Sequence, residues 1–319
     1  SLQLEAGQCI EIMTGAALPA GADCIVPVER ISIRDGLATL EDGYDAQERQ
    51  FIHARASDHA AGTRLLAPGK RISALDIAVI ASAGLTDVAV TRAPVIRVLS
   101  TGDELVPAGE PIEDHQIRMS NGPATIALLG RHGYHDCAHD HLADEPDVLE
   151  ERIAAHLDEA DVLVLSGGVS MGKADYVPEV LARLGVEVVF HKVSQRPGKP
   201  MWFGTAPGNK VVFALPGNPV SALVCCRQYV VPALAKASGG IEPAPEFAAL
   251  AGEVTFKPDL TCFQPVKLVS NAVGQVLAMP VMTNTSGDFA ALSGTDGYVE
   301  LAREQSHFPT GSPVRLYRW

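Results

Sequence analysis

Glycine, hydroxyl and acidic residues are concentrated in three short segments, each of which directly follows an apolar, strand-like run. The segments are Ser100-Thr101-Gly102-Asp103-Glu104-Leu105, Ser166-Gly167-Gly168-Val169-Ser170-Met171-Gly172 and Leu215-Pro216-Gly217-Asn218-Pro219-Val220-Ser221-Ala222. Two of them lead into predicted helices, whose first N–H groups and positive dipole end attract anions. A single loop of this kind is usually only a tight turn in which glycine supplies a positive φ. Three at one edge of a sheet predict a site for an extended phosphorylated ligand.

Carboxylates accompany these loops. Asp103 and Glu104 lie in the first loop, Asp144 at the start of a predicted helix and Asp175 just beyond the second loop. Acids beside a phosphate repel it unless a cation lies between them, and proteins usually hold Mg²⁺ with few oxygen ligands plus substrate phosphates. The pattern therefore indicates Mg²⁺ beside the phosphates, while a helix N-terminal role for Asp144 and Asp175 remains the alternative.

A basic segment provides the positive charge that such a ligand needs. It runs His191-Lys192-Val193-Ser194-Gln195-Arg196-Pro197-Gly198-Lys199-Pro200, around a Pro-Gly turn. Lysines and arginines in a turn are most often solvated surface residues. The chain as a whole has a formal net charge of −13, so a local basic segment beside phosphate-type loops favours oxyanion binding.

The elements that must position these segments are predicted by an alternation of strands and helices between Pro94 and Gly240. Strands are predicted at 95–100, 161–166, 186–193 and 210–215, and helices after Asn121, at 144–160, from about 175 to 184, and at 219–237. Such alternation predicts a largely parallel sheet with helices on both faces. Ligands bind such sheets at the carboxyl ends of the strands, where all three loops lie.

The flanking regions have a different pattern. Short alternating runs predict a β-rich module before about Phe51, with strands at Cys9–Met13, Cys24–Val28, Ile31–Arg34 and Leu37–Leu40. A helix is predicted over 73–83, with Ser73 as its N-cap and Gly84 as its stop. After the break at 238–240, short strands and glycine turns return and predict a separate β-domain.

Composition limits the kind of protein that this chain can be. With 319 residues, of which 47% are apolar, it is long enough for two or three packed domains. The excess of acid argues against a general binder of nucleic acid or anionic membranes. No run approaches the roughly 18 to 20 apolar residues that span a bilayer. The N-terminus lacks signal-peptide character. The six cysteines form no C-x-x-C pair. We therefore expect a soluble, cytoplasmic protein.

Several motifs, taken together in their order and spacing, resemble one family. They are Ile12-Met13-Thr14-Gly15-Ala16 with Gly21-Ala22-Asp23, Ser100 to Leu105, Gln116-Ile117 with Ser120-Asn121, Ser166 to Gly172 with Asp175-Tyr176, Pro197-Gly198-Lys199-Pro200, and Leu215 to Ala222. The chain resembles the molybdopterin molybdenumtransferases, that is, the bacterial MoeA proteins and the related E domain of gephyrin. The resemblance covers nearly the whole chain, which we expect to begin within the family's second domain.

The resemblance implies an enzyme that inserts molybdate into adenylylated molybdopterin with Mg²⁺-dependent release of AMP, the final step of molybdenum cofactor biosynthesis. It implies a multidomain α/β fold, with a central doubly wound, mostly parallel, MogA-like sheet between a β-rich module and a C-terminal β-barrel-like domain. The expected parts are 1–57, the β-rich module; 58–93, the remnant of a helical linker domain; 94–240, the molybdopterin-binding α/β domain; and 241–319, the barrel-like domain. A homodimer with a shared active site is implied, and a MogA-type adenylyltransferase is a candidate partner.

Roles for individual residues are implied by the same resemblance. The implied catalytic residues are Thr14, Asp58, Glu104, Asp144 and Asp175, of which Glu104, Asp144 and Asp175 would hold the metal. The implied binding residues for the pterin nucleotide and molybdate are Ser100, Thr101, Gly102, Ser166, Gly167, Gly168, Ser170, Lys192, Arg196, Lys199, Pro216, Gly217, Asn218 and Ser221.

Two alternatives to the insertion enzyme remain. One is the adenylyltransferase that acts on molybdopterin, because the middle domain alone resembles the MogA type. The other is a catalytically impaired paralogue or scaffold of the same fold. The chain departs from the family pattern at His53, at Arg118-Met119 and at Leu260-Thr261, and these departures favour the second alternative, whereas the retained catalytic acids argue against it.

Overall fold

The computed structural model describes residues 3–168, 176–283 and 287–319. Ser170 and Asp175, predicted as site residues, and the predicted start of a helix near 175 lie outside these described residues. The chain divides into two compact units, Ser1–Ala67 and Pro68–Trp319. Each unit is described by itself.

The first unit contains an antiparallel hairpin of β1 (Ile31–Arg34) and β2 (Leu37–Leu40), preceded by a 3₁₀ turn at Val28–Arg30. Asp35 and Gly36 connect the strands with φ of 50° and 78°, as a two-residue Asp-Gly hairpin turn requires. The strands predicted at Cys9–Met13 and Cys24–Val28 are wrong, because neither segment forms a strand. An alternating pattern is not enough to form a strand. The Ile25 N–H donates a hydrogen bond to the Gln50 carbonyl at 2.9 Å, but a single backbone hydrogen bond from the predicted segment does not make a ladder.

The second unit opens with helix α1 (Ala74–Ser82). Ser73 caps it as predicted: its hydroxyl accepts from the Asp76 N–H, and the Asp76 carboxylate accepts from the Ser73 N–H in return, which is a reciprocal capping box. Gly84 comes next with φ of 79°, a left-handed conformation that ends the helix. The helix predicted over 73–83 is confirmed.

A doubly wound sheet forms the centre of this unit. Its region contains, in chain order, β3 (Ile96–Thr101), β4 (Leu105–Val106), β5 (Ile117–Arg118), α2 (Asn121–Arg131), β6 (Cys137–Leu142), α3 (Pro146–Glu159), β7 (Val162–Ser166), α4 (Val177–Arg183), β8 (Glu187–His191), β9 (Gln195–Arg196), β10 (Trp202–Ala206), β11 (Lys210–Leu215), α5 (Pro219–Cys225), a π-helical turn (Cys226–Val230) and α6 (Val231–Ala237). Within the described residues the sheet has the order β6-β3-β7-β11-β10-β8. Strands β6, β3, β7 and β11 are parallel, whereas β10 runs antiparallel to both of its neighbours.

Apolar side chains that alternate along the strands fill both faces of this sheet. Leu99, Leu163 and Leu165 point into one core with α3 and α4, and their neighbours Val98 and Val164 point into the other core with α2, α5 and α6. Strands that are buried on both faces are typical of parallel sheets covered by helices. The predicted doubly wound sheet is confirmed.

Three details differ from the sequence prediction. The sequence pattern does not predict strands β6 and β10 of the central sheet. The helix predicted over 219–237 is interrupted by the π-helical turn, which adds a residue to one turn and shifts the register of the residues beyond it. Helix α3 begins at Pro146 rather than at 144, because proline suits the first helical turn and lacks the N–H that a later position would need.

The predicted C-terminal barrel is also confirmed. It comprises β12 (Glu246–Leu250), β13 (Val254–Thr255), β14 (Thr261–Ser270), β15 (Val276–Pro280), α7 (Phe289–Ser293), β16 (Gly297–Leu301), β17 (His307–Phe308) and β18 (Pro313–Arg318). In the described residues, five strands close in the order β15-β12-β18-β16-β14, because β14 also pairs with β15. Strand β9, from the basic segment, adds to β14 in parallel. No helix among the described residues is long and apolar enough to cross a membrane.

Candidate functional site

The three glycine-bearing loops meet at one edge of the central sheet. They come directly after β3, β7 and β11, which are parallel, and Ser166 pairs in register with both Ser100 and Leu215. The chain goes from β3 to β6 on one side and then returns to β7 on the other. This reversal is a topological switch point, where doubly wound sheets form a ligand-binding crevice.

Close backbone contact explains the two adjacent glycines of the second loop. Gly167 and Gly168 have φ of 103° and 64°. A Cβ on Gly167 would lie 2.5 Å from the Thr101 carbonyl oxygen, and one on Gly168 would lie 2.9 Å from the Thr101 hydroxyl. The third loop is equally near, since a Cβ on Gly217 would be 3.8 Å from the Gly167 Cα. The structure thus places all three loops in contact.

Asn121, the first residue of α2, ties two of these loops together. Its Nδ2 donates to the Ser166 hydroxyl at 2.8 Å and to the Gly217 carbonyl at 2.7 Å. A carbonyl can only accept, so this contact fixes which way the amide points. The sequence pattern predicts Asn121 only as a helix start and as part of a family motif. An amide side chain at the start of a helix on the loop edge was the available signal, but its partners lie 45 and 96 residues away.

The hydroxyl groups at this edge of the sheet differ in their hydrogen-bond partners. Ser100 and Ser166 are buried, and their hydroxyls already have protein partners, His139 and Asn121. Ser221 is buried in the first turn of α5. Thr101 is 3% exposed, and its hydroxyl has no hydrogen-bond partner among the residues that the structure describes, which is an uncommon and costly state for a buried polar group.

Two helix N-termini open at this edge without a side-chain cap in the described residues. Neither Ser120, before α2, nor Asn218, before α5, accepts a bond from its helix through its side chain. Pro216 is buried, whereas Gly217 and Asn218 are exposed. First-turn N–H groups that lack a side-chain acceptor are available to an anion.

Two histidines of β6 form hydrogen bonds with the first loop. The His139 Nε2 lies 2.9 Å from the Ser100 hydroxyl, and its ring occupies the space that a Cβ on Gly122 would need. Burial lowers the pKa of His139 below its ordinary value. The His141 Nε2–H donates to the Gly102 carbonyl at 2.8 Å. Both imidazoles therefore have hydrogen-bond partners within the protein.

The acids of neighbouring loops also come together. An Asp103 carboxylate oxygen accepts from the Asp144 N–H at 3.0 Å, which joins the loops after β3 and β6. The Glu104 carboxylate lies over Gly102, with an oxygen 2.6 Å from where a Cβ would be, and Gly102 has a φ of 138°, which favours glycine. No three metal-binding side chains cluster within the described residues, and Asp175 lies outside them. Mg²⁺ commonly takes only one or two protein carboxylates and completes its shell with water and phosphate.

The segment Lys192–Lys199, hereafter the basic loop, connects β8 to β10. His191 and Ala214 both pair with Trp202, so the basic loop emerges at the same edge as the end of β11. Lys192, Arg196 and Lys199 are exposed, and none of them forms an ion pair in the part of the chain that the structure describes. Unpaired cations on an acidic protein are suited to binding an oxyanion.

Thr14 and Asp58 belong to the first unit. Thr14 is exposed in a turn. Asp58 is also exposed, and its carboxylate lies 3.2 Å from the His53 Nε2, which in turn lies 2.9 Å from the Ser57 hydroxyl. His53 is one of the positions at which the chain departs from the family pattern, and here it engages the acid itself.

Comparison with known sequences gives matches along the chain. Three family profiles match: "MoeA N-terminal region (domain I and II)" over residues 1–84, "Probable molybdopterin binding domain" over 97–236, and "MoeA C-terminal region (domain IV)" over 248–319. A molybdopterin molybdenumtransferase of Synechocystis is 38% identical over 312 residues, which cover 98% of this chain and 77% of the relative. The chain belongs to the molybdopterin molybdenumtransferase family.

Other relatives agree with this membership. A molybdopterin molybdenumtransferase of Staphylococcus epidermidis is 31% identical over 98% of the chain and 74% of its own length. A crystal structure of a MoeA protein of molybdopterin biosynthesis from Pyrococcus horikoshii is 29% identical and superposes with a TM-score of 0.78, over 99% of this chain and 77% of that one. The observed architecture is therefore that of the molybdenumtransferase family.

Proposed function

We propose that this chain inserts molybdate into adenylylated molybdopterin and releases AMP in a Mg²⁺-dependent step, the last step of molybdenum cofactor biosynthesis. The main observation that supports this function is the meeting of three glycine-bearing loops and two uncapped helix N-termini at one sheet edge. A phosphate-bridged nucleotide has the charge and length that such an edge binds. The names of the relatives support the same reaction.

In this proposal, the loops hold the nucleotide chiefly through backbone N–H groups. Gly102, Gly167, Gly168 and Gly217 allow the phosphates to approach the backbone. The Thr101 hydroxyl, which has no partner in the described part of the chain, donates to ligand oxygen, while Ser100, Ser166 and Asn121 keep the loops in place. Further binding roles are assigned to Ser170, Pro216, Asn218 and Ser221.

The charged residues have complementary roles in the same proposal. Lys192, Arg196 and Lys199 attract molybdate, which is a dianion. Glu104, Asp144 and Asp175 would hold Mg²⁺, and the bound ion would neutralise the negative charge that develops as the phosphate–phosphate bond breaks. Asp58 and Thr14 are assigned to the catalytic set contributed by the first unit.

The proposal extends to the organisation of the protein. We assign 1–57 to a β-rich module, 58–93 to a linker, 94–240 to the nucleotide-binding domain and 241–319 to the barrel domain. The family resemblance favours a cytoplasmic homodimer whose active site is shared between subunits, and a MogA-type adenylyltransferase as the source of the substrate. The adenylyltransferase reaction itself is not favoured for this chain, because its relatives are named as molybdenumtransferases and match 98% of its length.

The test is molybdate-dependent release of AMP from adenylylated molybdopterin in the presence of Mg²⁺. We expect Glu104→Gln to reduce this rate by about 100-fold, because it removes a charged metal ligand, and Asp175→Ala to do the same. Glu110→Gln is the matched control, because Glu110 is an equally exposed glutamate in the next segment along the chain, between β4 and β5, and we expect the wild-type rate from it. Full activity of both Glu104→Gln and Asp175→Ala would contradict the metal site. Turnover of ATP with free molybdopterin would instead select the adenylyltransferase.

A further inference from the structure

A buried amide lies in the middle of the basic loop. Gln195 is 3% exposed, whereas Lys192, Arg196 and Lys199 around it are all exposed. The loop therefore turns its charges to solvent and its only carboxamide into the protein. An uncharged polar group in such a place needs hydrogen-bond partners to offset its loss of water.

Each end of the Gln195 amide has a partner. The Tyr229 hydroxyl donates to Oε1, and Nε2 donates to the Pro197 carbonyl at 2.8 Å. Because the carbonyl can only accept, the orientation of the amide is fixed. Burial raises the pKa of Tyr229 to about 12, so the phenol keeps the proton that it donates. The amide thus closes the turn of the basic loop on itself and attaches that turn to the helix behind it.

The same turn is pressed against α5. Gly198 has φ of 97°, and a Cβ there would lie 2.4 Å from the Cys225 Sγ and 2.7 Å from the Gln195 Nε2. The Cys225 thiol donates to the Gly198 carbonyl at 3.6 Å. Helix α5 is the element that begins at the third glycine-bearing loop, so the basic loop and that loop share one support.

The position of Tyr229 depends on the π-helical turn that comes after α5. Turns of this kind add one residue, redirect the side chains beyond them and are frequent at functional sites. On the other side of the basic loop, Gln195 and Arg196 pair with Thr261 and Cys262 of β14. The loop is therefore held by side chains from the helix and by backbone bonds from the barrel.

We propose that Gln195, held by Tyr229, is a positioning residue that places the exposed cations of the basic loop for molybdate. This inference rests on the proposed function and deepens it. Gln195 does not touch the oxyanion. It sets the conformation in which Arg196 and Lys199, one and four residues further on, present their charges together.

Gln195→Met tests this role, because methionine has nearly the same length and shape and removes only the hydrogen bonds. We expect the molybdate KM for AMP release to rise about tenfold, with kcat changed less than about twofold, as for the loss of one or two ordinary hydrogen bonds. Equilibrium dialysis with molybdate alone should show the same weakening of Kd. Tyr229→Phe should act in the same direction, and the double variant should be no worse than Gln195→Met, because the two residues share one interaction.

Tyr298→Phe is the matched control. The Tyr298 hydroxyl donates at 3.0 Å to Gln228, which neighbours Tyr229 on the same π-helical turn, whereas Tyr229 bonds to Gln195 of the basic loop. We expect its molybdate KM and Kd to be those of the wild type. An unchanged molybdate Kd in both Gln195→Met and Tyr229→Phe would overturn the inference, as would equal weakening in Tyr298→Phe. Wild-type protein that binds molybdate but releases no AMP would refute the proposed reaction and leave the positioning role measurable by dialysis.

Discussion

Single side chains hold the candidate site together through contacts that are distant in sequence. Asn121 joins β7 to β11, His139 supports Ser100, and His141 supports Gly102. The loops themselves could be predicted from sequence, because glycines, hydroxyls and acids follow three separate apolar runs directly. The partners of Asn121 and the two histidines could not, since a side-chain hydrogen bond depends on which loops the sheet order brings together.

Asn121→Asp tests how much the amide donor of Asn121 contributes to the free energy of unfolding. A carboxylate at this position would face the Gly217 carbonyl, which loses its donor and meets a negative charge instead, whereas the Ser166 hydroxyl can turn and donate to the carboxylate. We expect the free energy of unfolding to fall by about 2 kcal/mol in urea titrations. In Asn271→Asp, the control, the side chain already acts as an acceptor for the N–H groups of Val273 and Gln275, and the change should be within about 0.5 kcal/mol. Equal effects of the two substitutions would contradict this role.

Helices and strands were predictable where the local pattern is complete. The capping box of α1, strands β3, β7, β8 and β11 of the central sheet and the turn at Asp35-Gly36 all carry their signals within a few residues. Strands β6 and β10 and the π-helical turn do not. Trp202–Ala206 contains a glycine and an alanine in a short run, and it forms a strand because β8 and β11 offer edges on both sides. The segments Cys9–Met13 and Cys24–Val28 of the first unit show the converse. They have an alternating pattern, but neither of them forms a strand in the described structure.

The pH dependence of stability should reveal the cap of α1. Hydrogen bonds from Lys70 and Ser73 lower the pKa of Asp76 to about 2, below the value of about 3.9 that an unfolded aspartate has. A lowered folded-state pKa contributes stability above about pH 4, and this is lost as the pH falls towards 2. The Tm of Asp76→Asn should therefore lie below that of the wild type at pH 7, and the gap should shrink below pH 4. A gap that is constant from pH 7 to pH 2 would contradict this prediction.

Within the second unit, the C-terminal tryptophan connects the barrel to the α/β sheet. Trp319 packs against the core beneath α2 and α5 and also against the aromatic cluster of Tyr298. Its ring lies 5.2 Å from that of Tyr298, and its Nε1 donates to the Thr295 hydroxyl at 2.8 Å. The sequence predicted a separate β-domain after the break at 238–240. It did not predict that the last residue would return to the sheet, because one aromatic residue has no periodicity.

Trp319→Ala should weaken this connection. We expect a loss of about 3 kcal/mol in the free energy of unfolding, the usual cost of removing a large packed aromatic side chain. Far-ultraviolet circular dichroism during thermal unfolding should then show two transitions, as the sheet and the barrel separate. Phe247→Ala, at an exposed barrel position, should cost less than about 1 kcal/mol and keep one transition. A Trp319→Ala protein as stable as Phe247→Ala would show that the tryptophan makes no effective bridge.

Backbone hydrogen bonds between β9 and β14 join the basic loop directly to the wall of the barrel. Cys262 pairs with Arg196 on one side and lies in the barrel interior with Val266. Because the backbone of Arg196 is paired with a residue of the barrel core, a substitution that repacks this core would shift the backbone that carries Arg196 while leaving every lysine and arginine of the basic loop unchanged.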